Sequence, residues 1–165
     1  MTTMFAVPVG DQAYMGSSDF SGIGQGLDPR ITSIDLSQVR RKLTEPEPEG
    51  KGWGEEQALI VEKWYRRFLH VALKYPEVRP VPNHQIDAFW HQHILDTRAY
   101  ARDCQTVFGH FLHHYPYFGL NGDASERDDC FVQTNTIYRK EFGEDCLSIG
   151  KDGVGCKAPC VVEAC

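Results

Sequence analysis

The sequence predicts a mainly α protein: a single helical domain with an irregular aromatic, histidine-rich loop and flexible termini. Three observations carry this expectation. Apolar residues recur at three- and four-residue steps in several segments, capping residues and glycines bracket those segments, and no segment alternates apolar and polar residues as a half-buried strand would. The length of 165 residues suits one domain with a real core and is short for two. Hydrophobic residues at 41% and charged residues at 24% are ordinary for a globular chain.

Residues 1–30 carry Gly10, Gly16, Gly22, Gly24 and Gly26 among scattered aromatics without a sustained period, so they read as a flexible N-terminal arm. The run GIGQG within it lacks the spacing and the Lys-Ser/Thr pair of a phosphate loop. Residues 31–143 read as the helical, histidine-rich domain. Ile34 to Leu43 places Leu36, Val39 and Leu43 at helical steps behind Ser33 as N-cap, and TEPEPEGKG then acts as a linker. The strongest helix falls between Trp53 and Tyr75, with Ile60, Val61, Trp64, Phe68, Val71 and Ala72 as a core stripe and His70 as a structural histidine. Pro76, Pro80 and Pro82 make an extended connector. Asn83 caps a helix from His84 to about His93, and Asp96 caps another from Thr97 to Phe108 that Gly109 stops. His110 to Gly119 reads as an ordered loop folded back on those helices. Ser125 with Asp128 resembles a capping box and opens a last helix to about Phe142, ended by Gly143. Residues 144–165 form a cysteine-containing tail.

Charge narrows the partners. With 17 basic against 23 acidic residues the formal net charge is -6, which disfavours nucleic acid and anionic membrane. The basic clusters Arg40-Arg41-Lys42 and Arg66-Arg67 fall in predicted helices as polar faces. No apolar run approaches the ~20 residues needed to cross a bilayer, and the start has no secretion signal, so a cytoplasmic protein with reduced thiols is expected. Four of the six cysteines, Cys146, Cys156, Cys160 and Cys165, lie in the last twenty residues. The spacing of Cys156, Cys160 and Cys165 is a weak structural-zinc signal, with a soft-metal thiol tail, a redox pair, a modified segment or incidental cysteines as alternatives.

The chemistry concentrates between Asn83 and Gly119, which holds six of the seven histidines together with Asp87, Asp96, Asp103 and Cys104. Imidazole, carboxylate and thiolate bind transition metals or move protons near neutral pH. On a helix His84, Asp87 and His91 stand at i, i+3 and i+7 and share one face, a two-histidine, one-carboxylate set suited to non-haem iron; a histidine-rich variant suits zinc. His91 and His93 are two residues apart and point to nearly opposite helix sides, so both reach one metal only if the helix ends between them. His110, His113 and His114 are the natural completing ligands from the loop. Asp96, Tyr100 and Asp103 line one face of the next helix, where Asp103 could orient an imidazole or salt-bridge an arginine. Cys104, without a CxxC companion, reads as a small buried hydrophobe.

At Asp87, Trp90, His91 and His93 (D-x-x-W-H-x-H), then Tyr100, Asp103 and Cys104 (Y-x-x-D-C), then Gly109 and His113, the chain resembles the glycine-rich domain-containing protein-like family. The resemblance covers about residues 84–114 and implies no particular reaction, although it strengthens the choice of residues. His114 departs from the family pattern.

Two functions follow. The first is a metalloprotein using His91, His93 and His113, with Asp87, His84, His110 or His114 completing the sphere around zinc or iron, or copper. An open coordination position would allow metal-dependent chemistry on a small molecule, and a closed sphere would be structural. The second is a non-catalytic scaffold or interaction module with structural histidines, whose tail recruits a protein partner.

Overall fold

The computed structural model describes residues 26–146 and the backbone of 161–163. Six helices occur among the described residues: α1 (Pro29–Thr32), α2 (Ser37–Thr44), α3 (Glu55–Lys74), α4 (His84–Leu95), α5 (Thr97–Phe108) and α6 (Ala124–Phe142). Two three-residue strands, β1 (His113–Tyr115) and β2 (Val161–Glu163), complete the order, with β1 between α5 and α6. The fold is mainly α, as expected. No helix among the described residues is long and apolar enough to cross a membrane.

Local chemistry sets most of the boundaries. The Asn83 side chain accepts hydrogen bonds from the Gln85 and Ile86 backbone N–H groups and starts α4, which runs two residues beyond the predicted end at His93. Asp96 accepts from the Ala99 N–H and starts α5. Gly109 ends α5 with φ 77°, a left-handed conformation that glycine adopts without a Cβ penalty. α2 departs from expectation, because it begins at Ser37 rather than Ile34 and Ser33 instead closes α1. That four-residue helix is too short to leave a periodicity, but Asp28 caps it and Pro29 opens it.

α3 is the central element, packed by α1, α2, α4 and α6. Enclosure on several sides explains why burial runs almost continuously from Trp64 to Val71 rather than along one stripe, while Ile60, predicted for the core, is 44% exposed. The charged groups caught in this enclosure are paired. Glu62 pairs with both Arg40 and Arg66. Arg66 also donates to the carbonyl oxygens of Ile31 at 2.6 Å and Ile34 at 2.9 Å, which pins α1 and the turn after it onto α3. His70 is buried, as a structural histidine should be. Its Nδ1 accepts the Asp28 N–H, and burial, assisted by Lys74, lowers its pKa from the ordinary histidine value.

Cys146, near the start of the tail, is fully buried. Its N–H and thiol face Asn135 Oδ1, and its carbonyl accepts from the Asn83 side chain, so the start of the tail is tied to α6 and to the α4 cap.

The segment read as irregular loop contains β1, paired antiparallel with β2 in the register His113↔Glu163, His114↔Val162 and Tyr115↔Val161. Three residues carry too little alternation to be recognised, and the partner lies far along the chain.

Replacing Arg66 by leucine keeps the volume but removes the side-chain donors to the Ile31 and Ile34 carbonyls and one of the two partners of buried Glu62. It should cost about 3 kcal/mol in equilibrium unfolding, whereas the exposed Arg41→Leu on α2 should shift stability by less than about 0.5 kcal/mol.

Candidate metal centre

Asp87 and His91 are one turn apart on α4 and share a face. β1 brings His114 against that face. One ligand atom from each of these three residues lies within 4.8 Å of the others. His114 Nε2 is 2.9 Å from Asp87 Oδ1 and 2.9 Å from His91 Nε2, and His91 Nε2 is 3.4 Å from Asp87 Oδ2. The side chains of Asp87 and His114 are each 9% exposed and that of His91 is 50% exposed, so the group opens to solvent over His91. On its closed side the His114 ring packs edge-on against Trp90, with centroids 4.6 Å apart.

A hydrogen bond from Trp90 sets this geometry. The Trp90 indole N–H donates to Tyr100 Oη at 2.8 Å, and Tyr100 O–H donates to the Leu112 carbonyl at 2.6 Å. All three residues are buried. The chain of bonds fixes the backbone two residues before His114 and holds the ring that His114 packs on.

Protonation makes the cluster unusual. A neutral imidazole carries one N–H, so if His114 Nε2–H donates to Asp87, the Nε2 lone pair of His91 faces a carboxylate oxygen. If His91 also carries its proton at Nε2, two N–H donors meet head-on. Burial, opposed by Asp87 and aided by His114, depresses the His91 pKa and favours its neutral form. Two imidazole nitrogens and a carboxylate therefore converge with too few protons to satisfy every pair.

The other candidate residues lie elsewhere. His93, two residues from His91, turns into the core and is 2% exposed. Its Nδ1 is 2.9 Å from Tyr65 Oη and its Nε2 is 3.2 Å from Asp103 Oδ2. The Asp103 carboxylate can only accept, so His93 Nε2–H donates to it and Nδ1 of the neutral ring accepts from the Tyr65 hydroxyl; burial lifts the Tyr65 pKa far above the ordinary tyrosine value. Neither nitrogen of that tautomer has a free lone pair. Burial also lowers the His93 pKa, against the pull of Asp103. Asp103 thus orients an imidazole, but that of His93, and it also accepts from Arg102. Tyr100 is buried in the bond to Leu112, and Asp96 caps α5.

His84 and His110 are exposed and stand outside the converging group. His113 is exposed beside Phe111, because neighbouring strand residues alternate sides and His114 takes the inner one. Cys104 is 3% exposed with its thiol pKa raised by burial, consistent with a packing role. Cys156, Cys160 and Cys165 lie outside the described residues. Trp90 falls within the sequence motif but not among the candidate ligands, because nothing in its one-dimensional spacing connects it to His114.

These placements separate two kinds of histidine. His93→Ala should lower stability by about 3 kcal/mol or more, since it opens a cavity and strands Tyr65 and Asp103. His91→Ala, at a half-exposed position, should stay within about 1 kcal/mol of wild type in urea unfolding of the metal-free protein.

The sequence profile of the UCP032817-like family matches residues 33–141. No curated protein and no solved structure matches the chain. This corrects the resemblance to the glycine-rich domain-containing protein-like family. Most of that motif, Trp90, His93, Tyr100, Asp103 and Cys104, is buried where α4 and α5 pack. The match runs from before α2 to nearly the end of α6, more than half of the sequence, and on that span the chain belongs to the UCP032817-like family.

Proposed function

We propose that Asp87, His91 and His114 bind a divalent transition metal, iron(II) or zinc before copper, at a site open on the His91 side. The observation that supports this is the convergence of two imidazole nitrogens and a carboxylate that protons alone cannot satisfy. A cation among them removes the conflict, because each ligand presents a lone pair to it. The spacing is compatible. Donors about 2.1 Å from a metal lie roughly 3.0–3.4 Å apart in octahedral or tetrahedral geometry; here the two imidazole nitrogens are 2.9 Å apart, and Asp87 approaches His114 through Oδ1 at 2.9 Å and His91 through Oδ2 at 3.4 Å.

Two histidines and one carboxylate leave coordination positions for water or substrate, the arrangement of non-haem iron and of hydrolytic zinc centres. A bound metal would supply Lewis acidity and an acidified water. The protein's own groups hold and orient it. Asp87 balances charge, Trp90 fixes the His114 ring, and the Tyr100 bond holds the strand. On this reading the activity is metal-dependent chemistry on a small molecule.

The test is titration of the untagged, full-length protein with Zn2+, Co2+ and, without oxygen, Fe2+. One equivalent should bind. Asp87→Asn, His91→Ala and His114→Ala should each weaken binding by about 100-fold or more, since loss of groups that merely orient ligands already costs about 10–100-fold. His84→Ala, His110→Ala and His113→Ala should change it by less than about threefold. Absence of stoichiometric binding would leave an interaction module, for which Leu95, Leu120 and Val132 offer exposed apolar contacts.

A further inference from the structure

We propose that His70 is a proton-operated latch where the segment before α1 meets α3 and α6: neutral, it holds the backbone of Asp28, and protonated, it releases Asp28 and takes Glu141 instead. The inference is independent of the metal reading and concerns the one histidine that lies outside the Asn83 to Gly119 stretch.

The two ring nitrogens of His70 face different elements. The Asp28 backbone N–H donates to Nδ1 at 3.4 Å. A nitrogen that accepts carries a lone pair, so the neutral ring holds its proton on Nε2. That nitrogen is buried and has no hydrogen-bond partner among the described residues. Oε2 of Glu141, on α6, stands 3.8 Å from it, beyond hydrogen-bond reach. A buried donor without an acceptor is uncommon in a folded protein, and here a carboxylate stands just short of supplying one.

A second proton reverses the preferences of the ring. The imidazolium has two donors and no acceptor, so its Nδ1–H meets the Asp28 N–H head-on, while its charged Nε2–H gains by closing on Glu141. The surrounding charges permit this exchange. Before α1, the Asp28 carboxylate accepts from the Arg30 side chain and backbone N–H, which hold its pKa down to about 2 and keep it occupied. On α6, Glu141 accepts from Lys74 and Tyr75, and these bonds lower its pKa, so it stays ionised in mild acid with lone pairs left for a further donor. The Phe142 ring packs edge-on against the imidazole without competing for its protons. On α3, Lys74 joins burial in opposing protonation of His70 and lowers its pKa. The neutral latch is therefore complete above about pH 6.5, the ordinary histidine value, and is lost as pH falls from there through the depressed one.

Release is local, because α1 has other anchors. Arg66 donates to the Ile31 and Ile34 carbonyls and Arg30 to that of Val107. Protonation of His70 thus frees the chain up to Asp28 and leaves the helix docked, which makes the latch a control on the N-terminal segment and not on the fold.

The experiment follows the full-length protein by NMR from about pH 8 to about pH 4.5, reading imidazole nitrogen shifts for tautomer and charge, and amide-exchange protection factors for the backbone. His70 should be the Nε2–H tautomer at the alkaline end and titrate below about 6.5. Protection of the Asp28 N–H should fall at least about tenfold with that titration, while the Ser33 N–H, bonded to the Pro29 carbonyl within α1, should change by less than about threefold. His70→Gln, whose side-chain oxygen can accept from Asp28 and does not titrate, should keep Asp28 protected at every pH. Glu141→Gln should move the His70 titration down by at least about half a pH unit, since it removes the charge on which the imidazolium closes, and it decides the matter even if His70→Gln does not fold. A His70 that stays neutral throughout, that titrates without loss of protection at Asp28, or whose titration is unmoved by Glu141→Gln would overturn the proposal. So would an acid loss of Asp28 protection that persists in His70→Gln.

Discussion

The geometry of the candidate site depends on one buried chain of hydrogen bonds, from the Trp90 indole through the Tyr100 hydroxyl to the Leu112 carbonyl. Each of these groups would cost about 1–3 kcal/mol if buried without a partner. The chain is therefore stable only when α4, α5 and the segment before β1 sit in one arrangement. That arrangement places His114 over Asp87 and His91. Because Trp90 also packs on Phe68 of α3 and on the His114 ring, the aromatic core and the cluster share one rigid side chain.

Behind this contact, α3 supplies the rigidity that a precise site requires. It is enclosed by four helices and buries charged side chains, Glu62 and Arg66 among them. A buried ion pair adds little net stability, but losing one partner is costly, so it resists alternative packings of the same helices. The Arg40–Glu62–Arg66 group joins α2 to α3 and, through the Ile31 and Ile34 carbonyls, holds α1 against both. α4 packs against α2 and α3 together, so the helix that carries Asp87 and His91 stands on a fixed base. The third member of the cluster is held differently. His114 belongs to a strand paired with Val161–Glu163, a segment that lies between Cys160 and Cys165 in the sequence. Pairing couples the position of a proposed ligand to the far end of the chain, and it gives the tail a structural link to the cluster that its cysteine spacing did not suggest.

Much of the fold was legible in the sequence, because helix ends are local. Asn83, Asp96, Gly109 and Gly143 act within a few residues of where they stand, and each marks the boundary expected of it. The α4 face was legible for the same reason. A four-residue step puts Asp87 and His91 side by side whatever surrounds the helix, and a two-residue step sends His93 the other way. Local rules failed at Ser33, which closes α1 while α2 starts only after Leu36, and at Ile60, where the neighbours of α3 and not its own period decide exposure.

The sequence alone thus determined the helical class, most helix boundaries and two members of the cluster, since these follow from interactions between residues a few positions apart. Only the tertiary structure decided that the third member is His114 and not His84, and that both nitrogens of His93 are engaged in the core. Those outcomes depend on how α2, α4 and β1 pack, and on the pairing of β1 with a strand near the C-terminus. Contacts between residues dozens of positions apart leave no periodic trace in a single chain, so no spacing along it could have named them.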